Sequence, residues 1–144
     1  MKTTNAQLAR GREAWQQERW QRIALGIRLA YNPFKPEVIR YWVDLGARLA
    51  DEGVLDETRM LRRTLRVLLQ VARDEALPAA WRRACLEHTA RPLARLTSLA
   101  RGCPCAEAQA LHASIEAVHA AWGQDADPAL PPAAADPAAG QGGA

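Results

Sequence analysis

The sequence predicts an all-α fold, an irregular four- or five-helix bundle followed by a disordered C-terminal tail. β-Branched residues are scarce and Ala, Leu and Arg are plentiful, which favours helix over strand. Apolar residues recur every three or four positions along most of the chain, and no segment alternates like a strand. The 144 residues, 49% of them hydrophobic, suit one domain with its own core. We expect the helical domain over 1–122 and the tail over 123–144.

The first helix is predicted over 4–31, and Pro33 ends it because the residue before a proline avoids the α region. Its apolar side consists of Trp20, Ile23, Leu25, Ile27, Leu29 and Tyr31. A second helix follows Pro36, whose missing N–H is harmless in a first helical turn, and it ends at Gly53. These two helices supply the first half of the predicted core.

Three further helices complete the prediction. The third begins at the N-cap Asp56 and reaches Leu77. A fourth helix spans 78–101, and Pro92 inside it should kink or split it. The fifth runs over 104–122. We expect tryptophans to anchor contacts between helices, because each buries a large area. They are Trp15, Trp20, Trp42, Trp81 and Trp122.

The composition indicates the cellular compartment and the charge of the protein. The N-terminal segment has no apolar signal core, no apolar run approaches the ~18 residues of a membrane span, and the three cysteines are an odd number. We therefore expect a reduced, cytoplasmic protein that does not enter membranes. The net charge is +3, and the residues from Gly123 onward hold three Asp and no base. The helical domain alone therefore carries about +6.

One candidate site uses cysteine and histidine. Cys85 and His88 lie three residues apart on the fourth helix, and His119 lies on the fifth. If these helices form an antiparallel hairpin, the three side chains could approach one another and hold zinc or iron. The alternative is that Cys85 is a small core residue, since buried cysteines behave as hydrophobes.

A second candidate is Cys103, which precedes Pro104 at a predicted helix start, where the helix dipole lowers a thiol pKa. The Cys-Pro pair resembles the haem-regulatory motif, in which the thiolate ligates haem iron. The alternative is a plain turn that interrupts the helix.

A third candidate is an arginine face on the third helix, formed by Arg59, Arg62, Arg63 and Arg66. It could bind a phosphate, a nucleic acid or a protein partner. No aromatic residue interleaves with it, so we expect a protein partner rather than nucleic acid. Ion pairs within the bundle could instead neutralise this face. The acidic candidates for such pairs are Asp51, Asp74, Glu75 and Glu87.

Catalytic motifs are missing from the sequence. It has no phosphate-binding loop, no G-x-S-x-G elbow and no H-E-x-x-H pair. We therefore expect a protein that is not an enzyme.

Two segments carry a resemblance, AYNPFKPEVIRY at 30–41 and LPAAWRRACLEHTARPLARL at 77–96. Together they resemble the FagA-like family of small bacterial proteins, which are encoded beside a fumarase and a manganese superoxide dismutase and are associated with iron limitation. The resemblance covers about 15–122 in layout and implies no catalytic residue. The family has no established activity to carry over to this chain. We expect a helical accessory protein that binds a protein partner during the bacterial iron-limitation or oxidative-stress response. A metal- or haem-responsive binding protein is the alternative.

Overall fold

The computed structural model describes residues 2–100 and 106–125, and within those ranges it confirms the predicted all-α bundle. These ranges contain six helices and no strand. The helices are α1 (Lys2–Arg28), α2 (Glu37–Asp51), α3 (Glu57–Arg73), α4 (Ala79–Glu87), α5 (Ala90–Leu99) and α6 (Ala106–Asp125). The bundle is organised around α3, which packs against each of the other five helices.

The end of α1 differs from the prediction. The helix stops at Arg28, and Ala30 adopts a positive φ of 47°. The Tyr31 amide donates to the Gly26 carbonyl at 3.0 Å and the Ala30 amide to the Ile27 carbonyl at 3.1 Å. These two bonds are the Schellman pattern that closes a helix. The chain therefore leaves the helix three residues before the predicted end at Tyr31.

The ends of α2 and α3 follow local sequence signals. Gly53, the predicted stop, has φ 77°, and the Val54 amide donates to the Leu49 carbonyl. The predicted N-cap Asp56 accepts the Arg59 amide through its carboxylate at 3.0 Å. The predicted end of the third helix at Leu77 is wrong, because Asp74 adopts an extended backbone and ends α3 at Arg73.

The predicted fourth helix is split in two, as the position of Pro92 indicated. The break lies at His88 and Thr89, between α4 and α5. Pro92 has no amide to donate to the His88 carbonyl four residues earlier, and its ring would crowd that carbonyl in a continuous helix. In α5 it occupies the first turn, where no such bond is needed. The proline therefore sets the position of the break.

The core has two parts. The larger cluster lies among α1 to α5 and contains fully buried side chains such as Trp42, Leu65 and Trp81. A smaller cluster joins α3 and α4 to α6 through Leu69, Leu86, Ile115 and Val118. α6 therefore rests on the outside of a core that α1 to α5 already close.

Three of the five tryptophans are confirmed as anchors. Trp20 and Trp42 stack with ring centroids 5.0 Å apart and planes 15° apart. Each indole N–H donates to the other residue's carbonyl, Trp20 at 3.2 Å and Trp42 at 2.9 Å. Trp81 Nε1 donates to the Ile27 carbonyl of α1 at 2.9 Å. The burial of these rings therefore leaves no indole N–H unpaired.

The other two tryptophans lie nearer the surface. Trp15 is 58% exposed, so its predicted anchoring role is wrong, and its ring faces the guanidinium of Arg19. Trp122 is half-buried against the smaller cluster, where Arg82 and Arg83 lie 5.3 and 5.7 Å from its centroid. Leu25, Leu29 and Tyr31, on the predicted apolar side of the first helix, are also exposed.

The last helix, α6, continues past Trp122, where the helical domain is predicted to end, and stops at Asp125. The remainder of the predicted tail, 126–144, lies outside the described residues. None of the helices described has both the length and the apolar character that crossing a membrane requires.

Candidate functional site

The arginine face predicted from the sequence lies on the outer side of α3. Residues three and four apart share one face of a helix, which places Arg59, Arg62, Arg63 and Arg66 side by side. The opposite face carries the buried leucines of the core. Packing of that apolar face fixes the rotation of α3, and all four arginines are consequently exposed.

The four arginines line one concave surface between α1 and α3, which we call the arginine cleft. Its volume is about 620 Å³. Gln17 and Gln21 of α1 form the facing wall, and the α2–α3 loop closes one end. The Gln17 amide donates to the Val54 carbonyl at 2.7 Å, which ties that loop to α1. The cleft is therefore built on rigid elements, with polar amides opposite the guanidinium groups.

Little negative charge neutralises the cleft. Arg62 Nε lies 2.7 Å from Glu107 Oε2 of α6. Among the side chains that the structure describes, those of 4–100 and 106–123, none forms an ion pair with Arg59, Arg63 or Arg66. The acidic residues predicted to neutralise this face are Asp51, Asp74, Glu75 and Glu87, and among the described side chains none of them forms an ion pair with the four arginines. Asp56 also lines the cleft, but its carboxylate caps α3.

A second concave surface lies on the other side of the same arginines. It has a volume of about 690 Å³ between α3 and α6, and Leu69, Gln70 and Leu111 contribute to its wall. Arg62 and Arg66 line both surfaces. An elongated partner could therefore cross the α3 ridge and contact guanidinium groups on either side of it.

The cysteine predicted as a metal ligand is a core residue in this structure. Cys85 is fully buried within the larger cluster. Burial raises the pKa of its thiol to about 12, because the surroundings cannot solvate a thiolate. Cys103 and its neighbour Cys105 lie outside the described residues, so the haem prediction at Cys103 stays a prediction.

The two predicted histidine ligands do not share the burial of Cys85. His88 follows the last residue of α4 and is half-buried. His88 instead lines a cavity beside Asp44 of α2. His119 is exposed on α6. Among the residues described, no three His, Cys, Asp or Glu side chains form a group that could hold a metal. Zinc or iron binding by this chain stays a prediction.

The facing wall of the cleft is not evident from the sequence. Gln17 and Gln21 are four residues apart on the first helix, beside the apolar residues that contact the core. That spacing indicates a polar strip at the edge of the packed face, but it does not reveal which helix lies opposite. The chain matches no protein-family model, no curated protein and no solved structure.

Proposed function

We propose that this chain is a non-enzymatic accessory protein that binds a protein partner, and that an acidic segment of the partner occupies the arginine cleft. The observation that carries the proposal is the presence of four guanidinium groups on one concave surface, three of them without an ion pair in the described ranges. Arginine presents a planar fork of donors that matches a carboxylate, so the cleft is suited to Asp and Glu side chains.

The residues that line the cleft favour a protein segment over nucleic acid. Single-stranded nucleic acid is bound largely by stacking of its bases on aromatic side chains. Trp20 is the aromatic residue of the cleft wall, but only 4% of it is exposed and its ring is already stacked on Trp42. The Gln21 amide and the carbonyl oxygen of the Gln17 side chain can bond to a peptide backbone instead.

The biological setting of the proposal is the bacterial iron-limitation or oxidative-stress response. It rests on the resemblance of residues 30–41 and 77–96 to the FagA-like family. Both segments contribute to the fold, since the first contains Ile39 and the second contains Trp81 and Cys85, all of which belong to the larger core cluster. The arginine cleft lies outside both segments, so the binding proposal does not depend on the resemblance.

Titration of a labelled acidic peptide tests the proposal. The probe is a fluorescent twelve-residue peptide with six Glu, and a neutral Gln peptide of the same length is its control. The Arg59→Glu/Arg63→Glu variant reverses two charges in the cleft. Arg10→Glu/Arg12→Glu makes the same change in net charge on the exposed first half of α1. Fluorescence anisotropy at low salt measures each affinity.

We expect the cleft variant to bind the acidic peptide about tenfold more weakly or worse, since each exposed charge pair contributes up to about 1 kcal/mol. The Arg10→Glu/Arg12→Glu variant should lose less than half as much binding free energy as the cleft variant. An equal loss of affinity in both variants would mean that net charge alone explains the effect, and it would contradict the proposal. A DNA duplex serves as a further probe. Tighter binding of the duplex that depends on the cleft arginines would assign the cleft to nucleic acid.

A further inference from the structure

The outer face of α1 carries an exposed heptad repeat. Residues 8, 15, 22 and 29 follow one another at intervals of seven, and residues 11, 18 and 25 lie between them. This alternation of three and four residues is the spacing of a coiled-coil seam. The members of this face, which we call the α1 seam, are Leu8, Gly11, Trp15, Glu18, Arg22, Leu25 and Leu29. All seven are exposed, because α1 contacts the core through its opposite face, with Trp20, Ala24 and Ile27.

The N-terminal half of α1 extends beyond the bundle. Every residue from Thr4 to Trp15 is exposed. A helix of this length is only marginally stable in water by itself, because most helical stability in proteins comes from the packing of an apolar face. Leu8 and Trp15 lie on one side of this segment, and both are more than half exposed. A partner helix laid along the seam would supply the missing packing.

The charges of the seam complement those of a second copy of the chain. Arg22 lies one helical turn after Glu18, and its Nη2 is 2.9 Å from Glu18 Oε1 of the same chain. In a parallel pair of α1 helices each residue faces its own equivalent, so Arg22 would meet Arg22 and Glu18 would meet Glu18. In an antiparallel pair centred on residue 20, Arg22 faces Glu18 of the second copy, and the converse contact forms on the other side of the centre. The antiparallel register therefore replaces two repulsions with two attractions.

The same register also matches the other residues of the seam. Trp15 faces Leu25 of the second copy, and Gly11 faces Leu29 of the second copy. Gly11 leaves room for that leucine, since even a β-carbon on residue 11 would meet nothing within 4 Å in the single chain. Each large side chain of the seam is thus placed opposite an apolar or small residue.

The end of the seam reaches the corner between α1 and α2. In the antiparallel register Leu8 comes level with residue 32 of the second copy, beside Tyr31 and Phe34. These two aromatic residues are 87% and 91% exposed in the single chain. The pairing therefore brings the exposed apolar residues of the corner against the free half of the other α1.

We propose that two copies of this chain associate by antiparallel pairing of their α1 seams about a two-fold axis at residue 20. The axis makes both copies use the same surface, and the Glu18–Arg22 layer at the centre fixes the register. Arg19 lies at the edge of the seam and donates to the Tyr41 hydroxyl of α2 at 2.9 Å, so it is held to its own bundle. No residue of the seam lines the arginine cleft, so this proposal is independent of the proposed function.

Charge reversals test the pairing, with sedimentation velocity over a range of concentrations of the full chain as the measurement. We expect the parent to dimerise. Glu18→Arg and Arg22→Glu should each weaken the dimer about tenfold or more, because each places like charges in both central layers. Glu13→Arg and Arg10→Glu make the same changes in charge at exposed positions of α1 outside the seam and should dimerise like the parent.

Mixing the two reversed chains separates the seam from a general effect of charge. In an equimolar mixture of the Glu18→Arg and Arg22→Glu chains, each arginine of one chain faces a glutamate of the other, so dimers should return. A parent that stays monomeric at every concentration would overturn the proposal. So would a mixture that dimerises no better than its components.

Disulfide cross-linking tests the direction of the pairing. Trp15→Cys and Leu25→Cys chains are each prepared with Cys103→Ser and Cys105→Ser, and Cys85 is buried. Both new cysteines are at exposed positions, so neither change disturbs the core. On oxidation a mixture of the two chains should form a covalent dimer. Each chain alone should not, because identical residues lie about 15 Å apart along an antiparallel pair. Covalent dimers of each chain alone, with none specific to the mixture, would show a parallel pair and refute the proposal.

Discussion

The indole of Trp20 lies so close to Gly46 that a β-carbon on residue 46 would be 2.8 Å from the indole Nε1. The Trp20 N–H donates to the Trp42 carbonyl, which belongs to the turn of α2 that precedes Gly46. The stacking of the two tryptophans therefore depends on the absence of a side chain at residue 46.

Gly46→Ala should destabilise the fold. An alanine in a helix interior normally stabilises by about 1 kcal/mol relative to glycine. Here the clash with Trp20 should outweigh that gain and give a net loss of about 1–3 kcal/mol. Gly26→Ala is the control, because a β-carbon there meets nothing within 4 Å. Urea unfolding should show opposite signs for the two variants, and a stabilised Gly46→Ala would contradict the packing described.

Ala30→Gly should stabilise the protein. Ala30 closes α1 with φ 47°, a conformation that costs an L-residue about 1–2 kcal/mol and glycine almost nothing. We expect a gain of about 1 kcal/mol, partly offset by the greater freedom of glycine in the unfolded chain. Ala94→Gly, on the exposed side of α5, is the matched control and should lose about 1 kcal/mol. Thermal melting compares the two, and a loss at residue 30 would count against the left-handed helix end.

Ala30 and Trp15 show which features of the fold sequence periodicity cannot predict. Helical spacing, Gly53 and Pro92 identify the helices and most of their ends, because these signals are local. The end of α1 at a non-glycine residue has no local signature. Trp15 is of a residue type that is common in cores, but its burial depends on whether another helix covers it. The arginine face of α3 could be predicted because helical spacing is also a local signal. The cleft could not, because it exists only where α1 lies beside α3.

Trp81→Phe should separate burial from hydrogen bonding. Trp81 is 1% exposed, and its N–H donates to the Ile27 carbonyl near the end of α1. Phenylalanine keeps most of the apolar contact but leaves that carbonyl without the donor, which should cost about 1–3 kcal/mol. Trp81→Ala should cost about 3–5 kcal/mol, since it also opens a cavity. Denaturant titration gives both values, and equal losses would mean that the hydrogen bond carries all the stabilisation.

Cys85 should make stability depend on pH in the alkaline range. Burial raises the pKa of its thiol to about 12, whereas a thiol in the unfolded chain titrates near its ordinary value of about 8.5. The unfolded state therefore loses its proton first, so the stabilisation is complete below about pH 8.5 and declines as the pH rises towards 12. Between pH 8 and pH 10 the free energy of unfolding should fall by about 2 kcal/mol through this group alone.

The Cys85→Ala variant isolates that contribution, because the other alkaline groups titrate in both proteins. It should start less stable than the parent at pH 8, having lost a buried side chain, and then decline less steeply with pH. Urea unfolding at pH 8, 9 and 10 gives the difference between the two slopes. Parallel slopes would show that the thiol ionises as readily in the folded protein as in the unfolded chain. The buried packing of Cys85 would then be wrong.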